Sequence, residues 1–177
     1  NSPYIYYSSY GEDGSTGLDI YVKKKLPGGD WSIAQKVQGQ VNTDQDEDFA
    51  YMHPNGEYLY FCSKGHNSMG GYDVFRSKYN ENSNSFGPPE NLDFAISSPD
   101  DDVLFVVDSL DRMAYFASAR ESGQGNLTVY KVRVDRIPMQ MAVIKGNFLN
   151  TIASDQKEIT IEIEDFSSGR VIGTFNS

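Results

Sequence analysis

Three stretches of this chain repeat one another at a nearly constant interval, and that restricts its fold more than any other feature. Tyr4-Ile-Tyr-Tyr-Ser-Ser9 recurs as Tyr58-Leu-Tyr-Phe-Cys-Ser63 and as Met113-Ala-Tyr-Phe-Ala-Ser118. The step from Tyr6 to Tyr60 is 54 residues and from Tyr60 to Tyr115 it is 55. Each stretch is followed by a second run: Gly17-Leu-Asp-Ile-Tyr21, Gly71-Tyr-Asp-Val-Phe75 and Asn126-Leu-Thr-Val-Tyr130. The serine-to-Gly/Asn step is the same in every copy: Ser9 to Gly17, Ser63 to Gly71, Ser118 to Asn126. Chance would not preserve both intervals.

Within a copy the residues read as strands. Tyr58 to Ser63 is aromatic and apolar, Lys64 to Gly71 is a Gly/Ser/Asn-rich loop, and Tyr72 to Tyr79 runs back as the second arm of a hairpin. A further loop leads to Trp31 or Phe86, which opens a weaker strand ending near Val37 or Leu92. An acidic loop follows, Asp44-Gln-Asp-Glu-Asp48 or Pro99-Asp-Asp-Asp102, and then a strand, Phe49 to His53 or Val103 to Val107. Aromatic content of 13% suits such a pleated, half-buried surface. About four strands per repeat is the content of one propeller blade. The expected fold class is all-β, a partial β-propeller of about 2.5 to 3 four-stranded blades.

The same residues carry a resemblance. Pro54-Asn-Gly56, Tyr58 to Ser63 and Met69-Gly-Gly-Tyr-Asp-Val-Phe75 resemble the TolB-like, WD-like propeller repeat. Pro89-Glu-Asn-Leu92 and Ile96-Ser-Ser-Pro-Asp-Asp-Asp102 resemble the variant found in Bacteroidetes envelope proteins of the OmpA family. The resemblance covers residues 1 to about 135. The third copy departs from it, with Asn126 and Thr128 in place of Gly and Asp, and Asp108-Ser-Leu-Asp111 without the Pro and Gly of the turn.

After Val134 the character changes. Residues 136–142, with Pro138, read as a linker. Residues 143–177 hold Val143 to Phe148, the alternating run Lys157 to Glu164, a turn at Asp165 to Gly169, and Arg170 to Phe175. Their order resembles the start of a carboxypeptidase-regulatory-like, transthyretin-like β-sandwich, here partial. Asn1 is not a natural start, and both domains are expected to belong to a longer protein.

Chemistry is hard to place. A net charge of −10 argues against nucleic-acid partners, and no run approaches the length of a membrane-spanning helix. The single cysteine, Cys62, reads as a small buried hydrophobe. Asp44, Asp46 and Asp48 sit at alternate positions like the start of a calcium loop, but Phe49 and Asn55 stand where an EF-hand needs Gly and Glu. A looser calcium site joined by Asp101 stays open beside the plain reading of a solvated acidic loop. Ser9 with Asp19, and Ser63 with Asp73, fall at matching places where a hydroxyl-to-carboxylate hydrogen bond could pin adjacent strands; Ser118 repeats the serine. A serine nucleophile needs a base, and the two histidines, His53 and His66, do not recur with the repeat. Gly70-Gly71 lacks the Lys-Ser/Thr of a phosphate loop and reads as a pair allowing positive φ.

No catalytic residue and no cofactor is expected. The resemblance implies a non-catalytic scaffold or protein-binding propeller, periplasmic and outer-membrane-associated, similar to PorE-like components of the type IX secretion system. Its partners would be other envelope or secretion-system proteins, with peptidoglycan reached only through a domain outside this chain. The alternative is a glycan-binding or glycan-cleaving propeller, for which the tyrosines would supply stacking surfaces.

Overall fold

The computed structural model describes residues 2–11, 17–122, 125–134, 160–165 and 169–176. The described residues are all-β, without a helix, and the strands of each sheet run antiparallel. The chain divides into two compact units, Asn1–Ile137 and Pro138–Ser177.

In the first unit each copy of the repeat forms its own sheet, laid down in chain order. The first holds β1 (Tyr4–Ser9), β2 (Asp19–Lys24) and β3 (Gln35–Lys36). The second holds β4 (Glu47–Met52), β5 (Tyr58–Ser63), β6 (Asp73–Asn80) and β7 (Ser85–Phe86), with β8 (Glu90–Asn91) also paired to β6. The third holds β9 (Asp102–Val107), β10 (Met113–Ser118) and β11 (Thr128–Arg133). The constant serine-to-Gly/Asn step becomes constant register: Ser9 lies opposite Asp19, Ser63 opposite Asp73, and Ser118 opposite Thr128. The weak strand expected from Phe86 to Leu92 is broken in two. Gly87-Pro88-Pro89 separates β7 from β8, and proline has no N–H for the ladder. Around Trp31 only an isolated bridge to Lys25 precedes β3.

Neighbouring sheets pack face to face, and the period of two decides which side each residue serves. Along β5, Leu59 and Phe61 join Ile20, Val41, Phe75 and Phe86 against the first sheet. Tyr60 and Cys62 join Val74, Phe105, Ala114 and Phe116 against the third. The middle sheet is therefore buried on both faces, and its fully buried Phe61 and Phe75 contribute about 2 to 3 kcal/mol each by leaving water. Burial pushes the Cys62 thiol up to about 12, so it stays an inert protonated hydrophobe at neutral pH.

Two irregularities recur with the repeat. The pairings of β4 with β5 and of β9 with β10 both shift register, at Phe49 (φ 52°) and Leu104 (φ 60°), as a bulge does. The turn of the third copy forms without Pro or Gly: Asp111 takes φ 53° where Gly56 takes φ 76°, and each closes the same hydrogen bond, to Asp108 O and His53 O. A short polar side chain tolerates the left-handed region better than most.

Beyond β10, no second neighbour of β11 is found among the described residues. The expected linker, residues 136–142, and the expected strand Val143 to Phe148 lie outside the described residues. In the second unit β12 (Thr160–Asp165) and β13 (Arg170–Asn176) form one antiparallel hairpin, with Ile161 and Phe175 exposed.

Candidate functional site

The acidic residues divide into those that fasten one sheet to the next and those that brace their own sheet. Leu18 N–H donates to Asp46 Oδ1 at 3.0 Å, and one repeat later Tyr72 N–H donates to Asp101 Oδ1 at 2.9 Å. The backbone oxygens of Asp46 and Asp101 accept from Lys64 N–H (3.0 Å) and Ala119 N–H (2.9 Å). Each aspartate thus ties the hairpin loop of one sheet to that of the following sheet. Asp48 accepts from the Ser8 hydroxyl at 2.6 Å, a further link between the first two sheets.

The glycines before these loops follow from the same contacts. A Cβ on Gly71 would lie 2.2 Å from Asp101 Oδ1, and one on Gly70 would lie 1.8 Å from Pro99 O. Neither glycine has positive φ. The reading of Gly70-Gly71 as a left-handed pair is therefore corrected: the sequence needs glycine there because the next acidic loop closes on the backbone.

Glu47 and Asp102, both fully buried, also correspond. Glu47 accepts from Thr43 N–H, from the Thr43 hydroxyl and from the Ser63 hydroxyl, each at 2.7 Å. Asp102 accepts from Ser98 N–H and the Ser98 hydroxyl at 2.6 Å and from Arg120 Nη2 at 2.8 Å. Arg120 brings a charge where the second copy has a hydroxyl, and its guanidinium also lies over the Phe116 and Tyr130 rings. The Ser118 hydroxyl oxygen accepts from Arg120 N–H and Nε–H.

The expected bond from Ser63 to Asp73 is replaced. The two residues face each other in register, but the single Ser63 proton goes to Glu47 on the opposite neighbouring strand. Asp73, fully buried, accepts from Met69 N–H and from Asn91 Nδ2. Asp19, its counterpart, pairs with Lys36 at 2.7 Å, the counterpart of Asn91. Ser9 accepts from Gly11 N–H.

These duties bear on the calcium reading. Asp46 is held below the usual carboxylate range, first by the Leu18 N–H and then by Lys64, whose ammonium lies 3.0 Å away. Among the described residues no group of three or more His, Cys, Asp or Glu side chains is placed to hold a metal ion. Asp44, Asp46, Asp48 and Asp101 do not converge.

The histidines are also engaged. His53 is buried, its Nδ1 accepts from Asn55 N–H, and its Nε2 lies 3.1 Å from Asp111 Oδ1. His66 Nε2 bonds Val41 O at 2.9 Å and the ring packs on Phe61 and Phe75.

A cleft of about 1420 Å³ lies between the first and second sheets. One position of the repeat differs between this space and the one between the second and third sheets. In the third copy Phe105 fills the space beside Tyr60, with ring centroids 5.0 Å apart. The residue one repeat earlier is Ala50, which lines the cleft beside Tyr6. Tyr6, Tyr79 and Phe86 give it aromatic walls, and Lys24, Lys78 and Glu57 a charged rim. Burial, then the neighbouring Tyr79 and Tyr4, push the Tyr6 phenol up to about 12. At neutral pH it is a hydrogen-bonding group and not a base. The arrangement offers stacking faces and donors to an elongated polar ligand. Sequence reading did not find this site, because its walls come from residues far apart in the sequence.

Among the described residues no helix is long and apolar enough to cross a membrane. No protein-family model matches the chain, and no curated protein matches it.

Proposed function

We propose that residues 1–135 are blades of a TolB-like β-propeller acting as a non-catalytic, protein-binding scaffold of a bacterial cell envelope. On this reading the chain works at the periplasmic side of the outer membrane, in a peptidoglycan-linked assembly such as the type IX secretion system. Residues 143–177 begin a transthyretin-like sandwich. The observation that carries the reading is the recurrence, one repeat apart, of the fastenings made by Asp46 and Asp101 and by Glu47 and Asp102. The buried acidic and hydroxyl side chains are taken up in building a series of like sheets, and the cleft between the first two is left for a partner.

A photoreactive residue in place of the exposed Glu57, at the cleft rim, tests this in the envelope where the protein resides. The expected product is a protein adduct that is lost when Ala50→Phe places a ring in the cleft beside Tyr6. Binding of a glycan with the same sensitivity to Ala50→Phe, or release of reducing sugar from a glycan, would replace the scaffold reading with the carbohydrate alternative.

A further inference from the structure

His53 and Asp108 stand 55 residues apart and open the same turn in successive copies. Their backbone N–H groups bond Tyr58 O and Met113 O, each at 2.9 Å. Both side chains then cap the turn by accepting the N–H two residues on. Asp108 Oδ1 takes Leu110 N–H at 3.1 Å, and His53 Nδ1 takes Asn55 N–H at 3.3 Å. The Asp108 carboxyl is held below the usual carboxylate range, first by a second bond from Arg112 N–H. Its cap therefore survives moderate acid. An imidazole nitrogen accepts only while it carries no proton, so the cap of the second copy is of a kind that acid removes.

The surroundings of the ring fix where a second proton goes. Because Nδ1 accepts, the proton of the neutral ring sits on Nε2. That atom is buried and lies 3.1 Å from Asp111 Oδ1, on the turn of the third sheet, without the alignment of a hydrogen bond. Among the described residues Asp111 is the one charged group in ion-pair reach of the ring. Tyr60 of β5 meets the ring edge-on with centroids 6.4 Å apart, and Tyr51 of β4 stands beside Tyr60 at 6.2 Å. Burial raises both phenols, so neither carries charge where an imidazole titrates. A second proton therefore enters at Nδ1, where it meets the Asn55 N–H as one donor facing another. The Asp111 carboxylate holds the imidazolium in place, and the part that gives is the turn.

We propose that His53 is an acid-sensitive latch: a proton taken from solvent at Nδ1 releases the Asn55 N–H and opens the turn of residues 54–57. Pro54, Asn55, Gly56 and Glu57 also line the cleft between the first and second sheets. Acid thus loosens the hold of the cleft on its occupant. That consequence rests on the cleft being the seat of a partner, whereas the latch stands on the turn alone.

The test is NMR on the full chain from about pH 8 to about pH 5, following the His53 ring and the Asn55 amide together. In the wild type the Asn55 amide shift moves on the titration curve of the ring, and its exchange protection factor falls about tenfold. In His53→Asn a side-chain oxygen caps the turn at every pH, and the Asn55 amide stays constant. An Asn55 amide that does not move while the ring titrates overturns the latch. So does a ring that takes up no proton in this range, or an amide shift that persists in His53→Asn. Adduct formation from the photoreactive residue at position 57, followed over the same range, reads the cleft. The yield falls towards acid in the wild type and not in His53→Asn, and an equal fall in both overturns the loosening. An absence of adduct at every pH counts against the cleft as a partner site, while the Asn55 titration still decides the latch.

Discussion

Asp46 and Asp101 each carry a carboxylate whose oxygen takes a backbone N–H from the preceding hairpin loop. The consequence is a pH dependence of defined sign. Because the folded Asp46 holds its proton less tightly than the unfolded chain does, its contribution is fully present above the unfolded carboxyl range. It is lost as pH falls through the lower folded value. Asp46→Asn should therefore lower stability by about 1 kcal/mol at neutral pH, a deficit that shrinks as pH falls below the unfolded carboxyl range, read from urea melts across that range. Glu47 is the harsher site. Glu47→Ala removes the acceptor of the Thr43 N–H, the Thr43 hydroxyl and the buried Ser63 hydroxyl, and should cost about 3 kcal/mol in the same assay. Arg120→Leu leaves the fully buried Asp102 carboxylate without its cation and should cost a similar amount, about 3 kcal/mol.

The hairpins were the legible elements, because two intervals, one within a copy and one between copies, fix both strand length and register. Tyr58 to Ser63 does pair antiparallel with the run after Gly71, and the other copies do likewise. What the sequence did not yield locally was decided by neighbouring sheets. The Ser63 hydroxyl could be paired on paper with Asp73, opposite in register, but its proton goes to Glu47, on the strand to its other side. The sign was present in the spacing: Thr43 precedes Glu47 by four, and Ser98 precedes Asp102 by four. Gly70 looked like a turn glycine for the same reason, since the approach of Pro99 comes from the following loop. Gly70→Ala should cost about 1 to 3 kcal/mol by forcing that loop away. Gly28→Ala, whose new methyl meets nothing within 4 Å, should change stability by less than about 0.5 kcal/mol; thermal melts of the pair separate close approach from mere loss of a glycine.

For the molecule as a whole, the proposed propeller makes the first unit one sheet repeated three times, each copy turned by a constant step from the last. Residual dipolar couplings of the backbone amides in β1–β2, β5–β6 and β10–β11 measure that step directly. In the proposed propeller the rotation carrying the first hairpin onto the second also carries the second onto the third, about a common axis. Two rotations of different size, or about axes that do not coincide, would contradict it.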